Sequence, residues 1–190
     1  MDRFAMEFIG ICFAVFYVYW IVAAFWVKRA VEKQSRRQRL LLVLAMSVAF
    51  LLIRRSGVFG TYADVILWGR TLALDVICDA MVLAGLIVVL WARAVLGSNW
   101  SGSVVFRENH ELIERGPYGY VRHPIYSGVF LMILGTAILA GRVGGFVAFV
   151  VIFVGLWIKS RQEERLLTRH FPEAYENYRG RVKGLVPFVF

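Results

Sequence analysis

The chain has only two cysteines and three histidines among its 190 residues. Cys12 and Cys78 both lie inside apolar runs, where a free thiol packs as a small hydrophobe. His110, His123 and His170 are isolated from one another and from either cysteine, so no metal-ligand spacing is present and no metal is expected. A glycine-rich strand–turn–helix of the soluble dinucleotide-binding kind is also missing. The first apolar run has neither a basic start nor a small-residue cleavage site, which argues against a removable signal peptide. Acidic residues are scarce too: 13 Asp and Glu stand against 22 Lys and Arg, for a net charge of +9. An excess of this size raises nucleic acid as a partner. The basic residues flank apolar segments, however, where they fix topology and meet anionic headgroups, so membrane lipids are the expected partners and nucleic acid is not.

What the sequence has in abundance is apolar length. The hydrophobic fraction is 59%, against roughly 45–50% in soluble domains, and mean hydropathy is +0.65. Five segments read as membrane spans: Phe8–Val27, Leu40–Ile53, Leu72–Leu96, Ile125–Ala140 and Val143–Ile158. The first is a charge-free run of the length needed for a hydrocarbon core of roughly 30 Å. The second reaches that length only if Arg54 and Arg55 snorkel. Between the second and third, Ser56–Arg70 is rich in glycine and aromatics and is expected at the interface. Gly141 and Arg142 alone separate the last two spans, which predicts an antiparallel helical hairpin. Gly128 and Gly135 share a face of the fourth span, where small residues let helices approach closely, and internal packing is their expected use. The fold expected is an all-α polytopic bundle of about five transmembrane helices, one integral membrane domain over residues 1–190.

The third span carries Asp75 and Asp79 on one helix face. A carboxylate inside a membrane is a functional candidate, but both lie in the first two turns, where the helix dipole favours negative charge. A structural role is the primary expectation for them and transport the competing one. Orientation follows from the basic residues. All but Arg3, Arg54, Arg55, Arg70 and Arg142 fall on one side when the first loop, residues 93–122 and the C-terminal tail are placed together. The positive-inside rule then puts the N-terminus outside and the C-terminus in the cytosol.

Two polar segments, 97–124 and 159–190, flank the predicted hairpin and are brought together when it folds. Pro124 suits the first helical turn, and His123 then caps a helix whose free N–H groups bind an anion. Gly116-Pro117 forms a tight turn that carries the backbone of 110–113 towards the same place. Glu163 and Glu164 extend the last span past the membrane and face a cation. An anion-binding helix start beside carboxylates suits a zwitterionic cofactor; on spacing alone, interfacial capping and surface salt bridges are the favoured reading.

The linked motifs decide between these readings. Gly116-Pro117-Tyr118, Val121-Arg122-His123-Pro124, Tyr126 and Gly128 are followed by Glu163-Glu164 with Leu167, then Phe171, Tyr175 and Tyr178. This pattern resembles the isoprenylcysteine carboxyl methyltransferase family, part of a wider group that includes membrane phospholipid N-methyltransferases. The resemblance covers residues 94–190, the expected methyltransferase core, while the spans in 1–93 carry no signature and are the expected variable part. It implies S-adenosyl-L-methionine as cofactor and a lipophilic or lipid-anchored substrate. It places cofactor contacts on His110, Glu111, Leu112, Ile113, Tyr118, His123, Pro124, Ile125, Tyr126 and Glu163. The family's substrate-contacting arginine, four residues before that glutamate, falls on Lys159, which keeps the charge and loses the bidentate fork. Arg161 is the candidate replacement, although it lies on another helix face. Lys159 and Glu163 are therefore the expected catalytic pair. A phospholipid amine or quinone-type phenol is the alternative acceptor, and a non-catalytic lipid-binding or assembly protein is the reading from another class.

Overall fold

The structure, a computed structural model, describes residues 2–25, 30–33, 64–97, 105–107 and 112–185. The second expected span, Leu40–Ile53, lies outside the described residues, as do His110 and Glu111. Among the described residues four helices form the bundle: α1 (Asp2–Ala24), α2 (Leu72–Leu96), α3 (Pro124–Ala140) and α4 (Val143–His170); a short α5 (Pro172–Arg181) follows. Among the described residues α1, α2 and α4 are long and apolar enough to cross a membrane, and α3 is an apolar helix of 17 residues.

Each helix shows its neighbours through its buried positions. On α1, Ala5, Ile9 and Cys12 are buried at i, i+4, i+7 spacing and join Cys78, Val82, Leu86 and Val89 of α2 in one apolar core. The remaining faces of α1, with Phe4, Ile11, Val18 and Ile21, are exposed, as suits a helix in contact with lipid. α2 starts on Thr71, whose hydroxyl accepts from the Leu74 N–H at 3.2 Å. Asp75 in its first turn pairs with Arg70 at 3.0 Å, which fits the structural reading of that carboxylate. Asp79 has one buried oxygen without a hydrogen-bond partner among the described residues. At its other end α2 is tied to α1 by Arg93, which donates to the Ala23 carbonyl at 2.9 Å.

α3 is the central helix, buried on nearly all sides. Its approach to α2 is set by glycine. A Cβ on Gly128 would sit 2.6 Å from Val89 Cγ2 and 2.7 Å from the Gly85 carbonyl, and Gly135 lies almost as close to Cys78 and Val82. These glycines are used for packing within the chain. Gly141, at φ +61°, ends α3 with its N–H on the Ala137 and Ile138 carbonyls. Arg142 follows and α4 returns against α3, Gly145 resting on Ala137. Residues 65–68 close over this turn through hydrogen bonds from Leu67 N–H to the Gly141 carbonyl (2.8 Å) and from Trp68 Nε1 to the Ile138 carbonyl (3.1 Å).

One feature was not anticipated. Strands β1 (Ala30–Lys33) and β2 (Val105–Arg107) pair antiparallel, joining the loop after α1 to the segment after α2. The pairing puts these two basic segments on the same side of the bundle. α4, in contrast, continues past Ile158 through Glu163 and Glu164 as expected and runs on to His170, and its 28 residues span about 42 Å at 1.5 Å per residue. Its last turns therefore project beyond the apolar core and carry Lys159, Glu163 and Glu164 out of it.

The glycine contact makes a stability prediction. Gly128→Ala should lower stability by about 1–3 kcal/mol through overpacking, read as a lower melting temperature in detergent. Gly10→Ala, where nothing lies within 4 Å of the added carbon, should leave it unchanged or raise it slightly.

Candidate active site

The site is assembled where α3 begins. Gly116, at φ +61°, opens a 3-10 turn (Gly116–Gly119) with Pro117 at its first positions. That turn buries Tyr118, whose carbonyl accepts from the Tyr178 hydroxyl of α5 at 2.6 Å. The chain then runs beside residues 183–184, with Arg122 N–H on the Lys183 carbonyl (2.8 Å) and His123 N–H on the Gly184 carbonyl (3.0 Å). Ser127 adds a hydroxyl bond to the Leu185 carbonyl. The start of α3 is thus held by the segment that follows α5.

His123 occupies the N-cap of α3 but makes no side-chain capping bond. Its ring lies parallel to that of Tyr126, with centroids 5.4 Å apart and planes 7° from coincident. The imidazole points at α4, with Nε2 3.3 Å from Glu164 and Nδ1 3.6 Å from Glu163. The helix start leaves the Ile125 N–H without an intrahelical acceptor, and Pro124 has none to satisfy.

The two adjacent glutamates have different surroundings. Glu164 is buried and saturated. It accepts from Arg122 Nε (3.1 Å) and Nη2 (2.8 Å), lies against His123 Nε2, and pairs through its other oxygen with Arg161 (3.2 Å). Arg122 also donates to the carbonyls of Val182 and Arg179. Glu163 accepts the Tyr126 hydroxyl at 2.6 Å and has Lys159 Nζ at 3.8 Å, with a quarter of its side chain exposed. Lys159 is buried at 8% exposure, its ammonium 5.5 Å from the centre of the Tyr126 ring. Burial pushes the Tyr118 hydroxyl well above its ordinary range, and the charge of Glu163 adds to the effect. Burial does the same for Tyr175 and Tyr178. All three stay neutral at physiological pH.

His123, Pro124, Ile125, Tyr126, Lys159 and Glu163 are therefore brought together, and Tyr118 is buried in the 3-10 turn that precedes them. Leu112 and Ile113 lie half-buried in the segment leading to the 3-10 turn. Arg161 is not part of the cluster: it is half-exposed, pairs with Glu164 and stacks over Trp157 at 5.6 Å. The residues that the expected site omitted are Arg122, Glu164 and Tyr178, the clamp around it. All three belong to the linked motifs, and the arginine beside His123 was the available signal.

The family model described as phospholipid methyltransferase matches residues 74–174, which contain the whole cluster. The chain belongs to the phospholipid methyltransferase family. As a member of that family it is an integral membrane protein. Among its curated relatives is the protein-S-isoprenylcysteine O-methyltransferase of Schizosaccharomyces pombe, 36% identical over 104 residues, 52% of this chain and 43% of that one. Protein-S-isoprenylcysteine O-methyltransferase B of Arabidopsis thaliana is 32% identical over 113 residues, 57% of each chain. The chain spans about half the length of the curated relatives it matches. A solved structure of the eukaryotic intramembrane Ras methyltransferase, isoprenylcysteine carboxyl methyltransferase, aligns with a TM-score of 0.53 at 22% identity, over 84% of this chain and 55% of that one. The two share a fold.

The contacts from Arg122, His123 and Arg161 make Glu164 a structural anchor. Breaking a buried ion pair by removing one partner costs about 3–5 kcal/mol. Glu164→Ala should therefore destabilise by an amount of that order and Glu163→Ala by much less, compared by unfolding in the same detergent.

Proposed function

We propose that the chain is an S-adenosyl-L-methionine-dependent methyltransferase acting on a lipophilic substrate, most like isoprenylcysteine carboxyl O-methylation. The observation that carries this reading is Glu163. It is a partly exposed carboxylate held at the start of a buried helix, between an aromatic pair and a buried lysine, where the adjacent Glu164 is already consumed by the scaffold. The names and the matched half of the relatives support the reaction class.

The residues present fit the cofactor. Glu163 has capacity left for a cation, because one oxygen takes the Tyr126 hydroxyl and a carboxylate accepts about four hydrogen bonds. The uncapped start of α3 favours an anion. The stacked His123 and Tyr126 rings offer an aromatic wall. In this reading Glu163 holds the amino group or ribose, the α3 start and the backbone of 110–113 hold the carboxylate, and Tyr118 packs beside the base. Bound there, the cofactor supplies an electrophilic methyl carbon on a sulfonium.

The chain's own groups then orient and exclude water. A carboxylate acceptor is ionised already and needs no base, so most of the rate comes from alignment. Lys159, with its charge 3.8 Å from Glu163, draws the acceptor's anionic end to the level of the cofactor. Its compact ammonium orients less strictly than a guanidinium fork. The acceptor's apolar part stays among the spans. With the N-terminus outside, this end of the bundle faces the cytosol, the compartment in which a soluble cofactor is met.

A phospholipid amine is the second reading, favoured by the matched family model; an amine needs a proton acceptor, and Glu163 is placed for it. Calorimetric titration with S-adenosylhomocysteine tests the shared part of both readings. Wild type should bind, Glu163→Gln and His123→Ala should each weaken binding by about tenfold or more, in line with loss of a charge-assisted contact, and a folded wild type that binds nothing at millimolar ligand rules out the proposal. Transfer of labelled methyl to a farnesylcysteine analogue, with no transfer to phosphatidylethanolamine, selects the first acceptor. Lys159→Arg should retain that transfer and Lys159→Gln should lose about tenfold or more of kcat/KM.

A further inference from the structure

The face of α4 turned away from the cluster carries a second constellation. From Val147 the exposed positions run through Val150, Val154, Trp157 and Ile158 at helical spacing, all apolar and 45–56% exposed. The same stripe continues upward as Arg161, Arg165 and Arg169. Together with Arg179 of α5 these arginines border a cleft of about 830 Å³ whose lower wall is Trp157 and Ile158. Arg161 lies over the Trp157 ring, so the change from apolar to basic falls at an aromatic residue, the composition of a membrane–water boundary.

The charges within the cleft do not cancel. Glu164 is shared among Arg122, His123 and Arg161, and Glu176 pairs with Arg179 at 3.5 Å. Arg165 and Arg169 are exposed and have neither a hydrogen bond nor an ion pair among the described residues.

We propose that this cleft binds an anionic phospholipid, its phosphate between Arg165 and Arg169 and its acyl chains along the Val147–Ile158 stripe. The occupant is set by the pairing of two properties on one face: a basic head-sized cleft and, directly below it, an exposed apolar track in a membrane-spanning helix. A soluble phosphate has no use for the track, and an acidic peptide none for its depth in the bilayer. The bound lipid is not the methyl acceptor. It would occupy the opposite face of α4 from Lys159 and Glu163, and the proposal does not depend on the catalytic reading.

The test is native mass spectrometry of the full chain in detergent, titrated with phosphatidylglycerol or with phosphatidylcholine of the same acyl chains. Wild type should retain phosphatidylglycerol about tenfold more tightly, since each basic residue near a lipid surface contributes a severalfold preference before screening. Arg165→Gln/Arg169→Gln should reduce that preference to about twofold or less with an unchanged melting temperature, while Arg142→Gln, outside the cleft, should preserve it. Equal retention of both lipids by wild type overturns the proposal, as does a preference that survives the double substitution or is lost equally with Arg142→Gln. Displacement of phosphatidylglycerol by a glutamate-rich peptide would identify a protein occupant instead and would equally overturn it.

Discussion

Burying a carboxylate is costly unless cations and donors converge on it, and at Glu164 they do. Arg122, His123 and Arg161 reach it from the start of α3 and from its own helix. Arg122 in turn holds the carbonyls of Arg179 and Val182. One charge therefore ties the beginning of α3, the polar end of α4 and the segment after α5 into a single corner. Its neighbour inherits the opposite circumstance. With the guanidinium groups committed to Glu164, Glu163 is left to a phenol, a lysine and a ring edge, none of which saturates it.

The corner can form only because α3 sits where it does, and glycine decides that. Gly85 and Gly128 bring the backbones of α2 and α3 to a distance no side chain permits. In lipid, association between helices depends on such close packing, because hydrophobic burial between them adds little. Moving α3 outward by one methyl group would shift His123 and Tyr126 relative to α4, across a cluster whose working distances are 2.6 to 3.8 Å. The packing contact and the site are consequently linked through one rigid helix.

Much of this was legible in the sequence, for physical reasons that differ by element. α1, α2 and the apolar part of α4 stand out because crossing hydrocarbon takes a long, predominantly apolar run. The turn at Gly141 stands out because so short a connection permits only a hairpin. The Gly-Pro-Tyr and Arg-His-Pro motifs mark the start of α3 by their local backbone chemistry. The extension of α4 through Glu163 and Glu164 was expected, but its end at His170 is not marked by hydropathy, which stops at Ile158, although no helix breaker occurs before Pro172. The β1–β2 ladder was hidden for the opposite reason: strands of four and three residues leave no readable alternation. The unequal surroundings of Glu163 and Glu164 were the least legible feature. Adjacent helical residues point about 100° apart, and which of them meets Arg122 depends on how α4 is rotated against α3, a tertiary fact. The same rotation puts Arg161 away from Lys159, as the spacing of two residues already implied.

That rotation also separates two sets of polar groups on the extension of α4. Lys159 and Glu163 face inward to the uncapped start of α3, while Arg161, Arg165 and Arg169 face outward. On the proposed reading, a lipophilic acceptor has to present a polar reacting end near this level without withdrawing its tail from hydrocarbon. A helix that ended at the membrane surface would offer no wall above that level. On that reading, one that continues beyond it carries its inward groups to where a water-soluble cofactor and a membrane-embedded acceptor can meet. Its outward arginines are then left where the proposed lipid phosphate would lie. The long polar extension of α4 thus serves both faces through one geometric property, its length beyond the apolar core.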